Sequence, residues 1–164
     1  MASTITPASM TVTLTESITI NGAAQGGSQT LTIASIKETF KRIVRCPASQ
    51  DTTVALFQSA VSDNIESLAL DTENIKYLRV TNLDNSNSVN LSLQIDAGED
   101  DSAADESATI QLNAGYSFIM GPTHDTIAVQ DTNANIELTL HDLESILIDP
   151  GANDVDIEVF VASI

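Results

Sequence analysis

The sequence predicts an all-β protein, an antiparallel β-sandwich or barrel built from about ten or eleven short strands. Short segments in which apolar and polar residues alternate recur along the chain, and turn-forming residues separate them about every 8–12 residues. The apolar residues are mostly Ile, Leu, Val and Ala, and Thr is frequent, a composition that suits the pleated surface of a sheet. No strand pattern alternates with a helical one, which argues against a parallel α/β fold.

The clearest strand patterns lie in residues 75–121. Residues 89–95 alternate strictly between apolar and polar side chains, which predicts a strand with one buried face. Residues 75–81 are denser in apolar side chains and suit a strand covered on both faces. Residues 108–120 continue with two more strands, the second of which is expected to point Tyr116 inward. We interpret the whole stretch as a β-meander, in which consecutive strands are neighbours.

The chain before this stretch is predicted to begin with an arm and to continue as strands. Residues 1–9 are small and polar, so we expect a flexible N-terminal arm that frays or orders on a neighbouring subunit. Residues 10–164 are expected to form one β-sandwich domain. Residues 10–20 predict a half-buried strand, and the Asn-Gly and Gly-Gly pairs of residues 21–28 predict a turn. Because a Thr-rich strand at residues 29–36 follows this turn, the glycines do not indicate phosphate binding.

Further short strands are predicted on both sides of the central stretch. They cover residues 37–46, 52–57, 126–130, 136–140 and 155–161. Residues 142–148 fit either a short helix or a continuing strand, because the segment is too short for the two periods to be told apart.

The charge of the chain is its most unusual property. The net charge is −17, from 23 acids and 6 bases. Residues 1–79 hold 7 acids and all 6 bases, giving −1, whereas residues 80–164 hold 16 acids and no Lys or Arg, giving −16. The negative field of the second part repels phosphates, so we expect no nucleic-acid partner. No apolar run approaches the ~18 residues that span a bilayer, and the N-terminus lacks a signal-peptide pattern, so neither a membrane nor a cleaved leader is expected.

Four of the six bases lie in one segment, as Lys37, Lys41, Arg42 and Arg45. In a chain this acidic they can pair with the chain's own carboxylates, or they can form the one patch that docks on an acidic partner. These four residues are therefore the candidate docking residues.

The histidines give no catalytic signature. A catalytic His–Asp pair, as in His124-Asp125 or His141-Asp142, needs a positioned nucleophile and an oxyanion hole. Ser117 lies in Gly-Tyr-Ser-Phe-Ile, which lacks the second glycine of a nucleophile elbow. We therefore expect no enzymatic activity and interpret both histidines as surface or hydrogen-bonded residues.

Metal and cofactor sites are only weakly indicated. Cys46 is the sole cysteine, which predicts a buried thiol at a strand end and excludes an internal disulfide. The acidic run after residue 95 is expected to be a solvated loop that can at most hold Ca²⁺ weakly. The weak calcium candidates are Asp96, Glu99, Asp100 and Asp101. Residues 131–142 resemble a calcium loop, but Ile136 replaces its glycine and Asp142 its final glutamate. We expect no cofactor and no resident metal.

The order of the central segments resembles a known class of virion protein. Ile-Lys-Tyr-Leu-Arg-Val-Thr-Asn-Leu-Asp at residues 75–84 and Leu-Asn-Ala-Gly-Tyr-Ser-Phe-Ile at residues 112–119 resemble small structural, capsid decoration-like proteins of tailed, marine-type bacteriophages. The opening Met-Ala-Ser-Thr-Ile-Thr-Pro and the Thr-Val-Thr-Leu-Thr-Glu strand are similar too. The likeness covers residues 1–121 in order and texture and includes no catalytic residue. It implies a jelly-roll-like β-sandwich that decorates or joins parts of a virus particle.

The expected function is that of a non-enzymatic phage structural protein, a capsid decoration or cement protein that bridges and stabilises major capsid subunits. Its expected partners are the major capsid protein and further copies of itself, as a homotrimer on the outer capsid surface of the virion, after synthesis in the host cytoplasm. A neck, tail or fibre-associated virion protein is the alternative in the same class. A glycan- or Ca-binding β-sandwich module is the alternative in another class, and the lack of Trp weighs against its glycan form.

Overall fold

A computed structural model describes residues 5–59, 69–96, 106–130 and 135–164. Within these ranges the protein consists of thirteen β-strands and one 3-10 turn at Thr72–Asn74. The strands are β1 Ala8–Thr15, β2 Thr19–Ile20, β3 Ala23–Ala24, β4 Ser28–Ile36, β5 Glu38–Cys46, β6 Thr52–Gln58, β7 Leu70–Asp71, β8 Ile75–Asn82, β9 Val89–Asp96, β10 Glu106–Leu112, β11 Ser117–Met120, β12 Asp142–Asp149 and β13 Val155–Ser163. The predicted all-β class is confirmed, and the number of strands exceeds the prediction because β2, β3 and β7 have only two residues each.

The chain divides into two compact units, Met1–Glu38 with Ile164, and Thr39–Ser163. In the first unit β1 pairs antiparallel with β4, and β2 pairs with β3 in the connection between them. The prediction of an arm at residues 1–9 and a single domain at residues 10–164 stays a prediction. Within the described residues β1 starts at Ala8 and takes its hydrogen bonds from β4, so the two strands form a hairpin.

The second unit is a β-sandwich of two sheets. One sheet has the order β10-β9-β12-β6 with β7 added at the edge, and the other has the order β11-β8-β13-β5. The pairs β10–β9, β9–β12, β12–β6, β11–β8 and β8–β13 are antiparallel, whereas β6 and β7 are parallel, with Phe57 beside Leu70. Counted along the chain without β7, the eight strands stand in the orders 5-4-7-2 and 6-3-8-1. This is the strand order of a jelly roll, and it confirms the predicted jelly-roll-like antiparallel sandwich.

The central stretch is not a meander, so that interpretation was wrong. β8 and β9 are consecutive but belong to opposite sheets, and the same holds for β10 and β11. Only β9 and β10 pair as neighbours in sequence, with Leu91 opposite Ile110. β11 returns to pair with β8, where Phe118 lies opposite Val80. Alternation identifies the buried face of a strand, but it is the same whether the strand pairs with its predecessor or crosses to the facing sheet.

The core of the sandwich lies between its two sheets. Leu78, Leu91, Ile146 and Val159, from four different strands, are all 0% exposed. The prediction that residues 75–81 are covered on both faces is confirmed on its dense part, because adjacent Tyr77 and Leu78 are both buried. Cys46 is buried at the end of β5, as predicted, and that burial raises the pKa of its thiol.

Some predictions around the second sheet were wrong. Tyr116 is 64% exposed, because it belongs to the turn before β11, where its amide donates to the carbonyl of Asn113. Residues 126–130 form only an isolated bridge at Ile127, and residues 135–141 form no strand. Ile136 and Leu138, predicted to share a buried face, are each 88% exposed. For residues 142–148, the strand alternative is the correct one.

Candidate functional site

The hairpin of β1 and β4 has one apolar face and one hydroxyl-bearing face. Residues opposite each other in an antiparallel pair point to the same side, so Val12 and Leu31 share one face. Thr13 and Thr30 are the next pair and lie on the other face. We call the first side the apolar hairpin face. It is made by Met10, Val12, Leu14, Leu31 and Ile33, with Gln29 on the same side opposite Leu14.

The apolar hairpin face is half-buried at Met10, Val12 and Ile33 and open to solvent at Leu14 and Leu31. Leu14 and Leu31 are 58% and 56% exposed, and Ile18 and Ile20 beyond the end of β1 are 53% and 52% exposed. The predicted half-buried strand at residues 10–20 is therefore confirmed only in its first part, because β1 ends at Thr15 and the apolar residues from Leu14 onward are exposed. Alternation shows that one face is apolar, while the rest of the fold decides whether that face is covered. This face is the functional feature that the sequence analysis missed.

Charge is distributed unequally between the two units. Among residues 1–38 only Glu16, Lys37 and Glu38 are charged, giving −1. Residues 39–163 hold 21 acids and 5 bases, giving −16. The apolar hairpin face itself contains no charged residue. The hairpin unit therefore carries far less net negative charge than the second unit.

Three of the four predicted docking bases lie on β5 and Lys37 directly precedes it, and two of the four make ion pairs within the chain. The ammonium of Lys41 lies 3.0 Å from Glu158, whose carboxylate also lies 2.6 Å from the guanidinium of Arg79. The Glu158 side chain is only 12% exposed. The hydrogen bond from Lys41, with the nearby charge of Arg79, lowers the pKa of Glu158. β5, β8 and β13 are neighbouring strands of one sheet, which brings these three residues together.

Arg45 is held in the same way at the end of β5. Its guanidinium donates to Asp154 at 2.8 Å and lies 4.0 Å from Asp156. Asp154 also accepts the amide of Ala48 at 2.8 Å, and these two bonds lower the pKa of its carboxyl. The hydrogen bond to Asp154 and the charges of Asp154 and Asp156 raise the pKa of Arg45. These two bonds connect the end of β5 and the turn after it to Asp154, the residue directly before β13.

The four candidate docking bases therefore separate into two groups. Lys41 and Arg45 make ion pairs within the sandwich, as one of the two predicted alternatives required. Lys37 and Arg42 are exposed, and no ion pair joins either of them to another described residue. Arg42 lines a shallow cavity of about 230 Å³ together with Phe40 and Leu70. Arg42 is therefore the candidate docking base of the sandwich that is exposed and makes no ion pair with another described residue.

The Glu158 ion pairs predict a dependence of stability on acid pH. Because the pKa of Glu158 is lowered in the folded protein, its ion pairs stabilise the fold above the ordinary value of 4.5 and lose that contribution as the pH falls below it. We expect Glu158→Gln to lower the free energy of unfolding at pH 7 by about 1 kcal/mol. The difference from the native chain should shrink toward pH 3. Urea unfolding at several pH values, with exposed Asp51→Asn as the control, measures this, and a constant difference would contradict it.

The histidines lie in hydrogen-bonded turns, as the sequence predicts. The Nδ1 atom of His124 lies 2.8 Å from Asp142, and that carboxylate also accepts the amide of Asp125 at 2.7 Å. The Asp142 bond raises the pKa of His124. His141 makes a backbone bridge to Ile127. His124 therefore contacts two carboxylates, that of Asp142 on β12 and that of its sequence neighbour Asp125, which lies 3.4 Å from Nε2.

Ser117 has a hydrogen-bond partner on the neighbouring strand of its own sheet. Its hydroxyl lies 2.8 Å from the hydroxyl of Thr81 on β8. The hydrogen bonds between described residues connect Ser117 to β8 and His124 to β12, so they do not assemble a serine–histidine pair. Ligand-type atoms of His124, Asp125 and Asp142 lie within 4.8 Å of one another, but their mutual hydrogen bonds account for that proximity.

The acidic calcium candidates fall largely outside the described residues. Glu99, Asp100 and Asp101 belong to that part, as do residues 131–134 of the calcium-loop pattern. Asp96 is described and ends β9, opposite Asp142. Both carboxylates line a cavity of about 330 Å³ that also includes Glu144 and Thr72. The calcium prediction therefore stays a prediction.

None of the described segments forms a helix with the length and hydrophobicity needed to cross a bilayer. No protein-family model matches the sequence, and no curated protein matches it. A solved structure from work describing Bacillus endospore appendages as a novel family of disulfide-linked pili is similar to this chain with a TM-score of 0.37. The two share 11% sequence identity over 77% of this chain and 88% of the other. A likeness at this level carries no conclusion about function.

Proposed function

We propose that this protein is a non-enzymatic structural protein of a bacteriophage particle, a capsid decoration or cement protein. In this role it binds the major capsid protein on the outer surface of the virion and self-associates as a homotrimer. The sandwich acts as a rigid body that joins neighbouring capsid subunits. Repeated contacts over a shell stabilise it because each bound copy favours the assembled state by mass action.

The jelly-roll strand order is the observation that supports this proposal most. Double-sheet jelly rolls recur in viral capsid proteins, and lectin domains and cupins have the same fold. The strand order therefore supports a capsid role but does not by itself distinguish it from these other functions. The strongly acidic sandwich adds to this, because a negative field keeps the exposed side soluble and away from nucleic acid. The same features fit a neck, tail or fibre-associated protein, which is the second candidate.

Binding to undecorated capsids tests the proposal directly. Purified protein is mixed with capsids that lack it, and the bound fraction is measured after sedimentation. We expect saturation at a fixed ratio to the major capsid protein. A ratio matching a few copies per particle would instead support a neck or tail position. Absence of stoichiometric binding would contradict the capsid role.

A charge reversal at Arg42 should separate specific docking from general attraction. Arg42 is exposed and has no ion-pair partner among the described residues, so Arg42→Glu should weaken capsid binding by at least about tenfold if the partner is acidic there. Lys76→Glu makes the same charge change on β8, where the Lys76 ammonium bonds the carbonyl of Glu73. That control is expected to bind like the native chain. Equal losses in both variants would indicate attraction without a docking site at Arg42.

A further inference from the structure

We propose that the apolar hairpin face is a self-association surface, which a second copy of this chain covers with its own hairpin. The inference goes beyond the proposed function. Two identical faces that cover each other close at two copies, so this contact makes a dimer and is a different contact from the one that would form the proposed homotrimer. The occupant of the face is the same face of another copy, so that the Met10, Val12 and Leu31 sides of the two hairpins pack against each other.

The first argument is the exposure of the face. A two-stranded hairpin with one exposed apolar side is marginally stable by itself in water. Here Leu14 and Leu31 are more than half exposed, and so are Ile18 and Ile20, which follow beyond the charged Glu16. Several large aliphatic side chains exposed on one element are a candidate interaction site. The opposite side needs no partner, because the Thr15 hydroxyl bonds Ser28 at 3.2 Å and the other threonines can be hydrated.

The second argument is charge, which decides through which unit two copies of this chain can meet. Two copies that met through their sandwiches would bring together units of −16 each, whereas their hairpin units carry only −1 each. Like charges across an interface cost free energy, so the near-neutral unit is where copies can approach. The apolar hairpin face is also complementary to itself, since two such faces can interdigitate aliphatic side chains at the sheet-to-sheet spacing of about 10 Å.

A matched pair of variants tests which side of the hairpin is buried. Leu31→Glu places a charge on the apolar hairpin face, and Thr30→Glu places the same charge one residue away on the hydroxyl face. Analytical ultracentrifugation of the full chain should show a concentration-dependent oligomer for the native protein. We expect Leu31→Glu to raise its dissociation constant at least about tenfold and Thr30→Glu to change it less than about threefold. Leu31→Thr, which retains strand propensity, should weaken association in the same direction as Leu31→Glu.

The outcomes distinguish this inference from the capsid role. A native chain that stays monomeric up to millimolar concentration overturns the inference, as does an equal effect of Leu31→Glu and Thr30→Glu, with circular dichroism confirming that each variant is folded. If the native chain is monomeric and Leu31→Glu loses only capsid binding, the face belongs to the capsid partner and the inference fails while the proposed function stands. If Leu31→Glu dissociates the oligomer and the native chain does not bind capsids, the inference stands and the capsid role fails.

Discussion

Replacing Asn82 with aspartate is expected to lower the free energy of unfolding of the sandwich by about 3 kcal/mol. Asn82 is 0% exposed, and its amide group donates to the carbonyls of Asn87 at 2.8 Å and Leu112 at 3.2 Å. An aspartate keeps the size of the side chain but offers no amide donor, so a buried carboxyl would face two carbonyl oxygens. The side-chain oxygen of Asn82 also accepts the amide of Asp84 at 3.0 Å, a bond that the substitution keeps.

The expected loss is large because Asn82 holds together two loops that cross between the sheets, the one from β8 to β9 and the one from β10 to β11. Its bonds to Asn87 and Leu112 join the turn after β8 to the end of β10, and its backbone bonds Gly115 and Tyr116 before β11. Asn85→Asp makes the same chemical change at an exposed position of the same turn and should cost less than about 0.5 kcal/mol. Urea unfolding followed by circular dichroism measures both variants. Equal stabilities of the two would contradict the role assigned to Asn82.

Replacing Leu91 with alanine is expected to cost about 2–5 kcal/mol of unfolding free energy, through lost burial and the cavity left behind. Leu91 is 0% exposed on β9, an interior strand of its sheet. Ile110 is its direct partner on β10, the edge strand, and is 37% exposed. Ile110→Ala should therefore cost no more than about 1 kcal/mol.

The same unfolding experiment compares the two alanine variants. If Ile110→Ala were as damaging as Leu91→Ala, the core-facing side chain of Ile110 would have to be fully buried, which would contradict its 37% exposure on the edge strand. If both variants changed the slope of unfolding free energy against urea concentration, the unfolding would no longer be two-state. The two variants would then be compared by calorimetry instead.

The strands themselves could be read from the sequence because alternation is a local signal. Residues 89–95 and 155–161 alternate strictly, and the structure forms β9 and β13 there. The same signal failed at residues 136–140, where Ile136 and Leu138 are exposed and no strand forms. Alternation alone therefore does not make a strand, because a strand also needs a neighbour that offers its backbone groups.

The candidate site was predicted in part. The sequence located the basic segment, but the ion pairs of Lys41 and Arg45 depend on β13, more than a hundred residues away from β5, as the 109-residue separation of Arg45 from Asp154 shows. Neither residue spacing nor composition identifies such partners. The apolar hairpin face had a sequence signal in Val12, Leu14 and their polar neighbours, but the expected domain boundary at residue 10 assigned that signal to the core.

By itself, the sequence determined that the protein is all-β, which faces of its main strands are apolar, and that nearly all excess negative charge follows residue 79. The tertiary structure alone decided that consecutive strands cross between sheets, that Glu158 neutralises Lys41, and that the hairpin keeps part of its apolar side in solvent. The physical reason is the range of the interactions. The period of a strand is set by adjacent residues, whereas pairing, coverage and ion pairing are set by segments that meet only after the chain has folded.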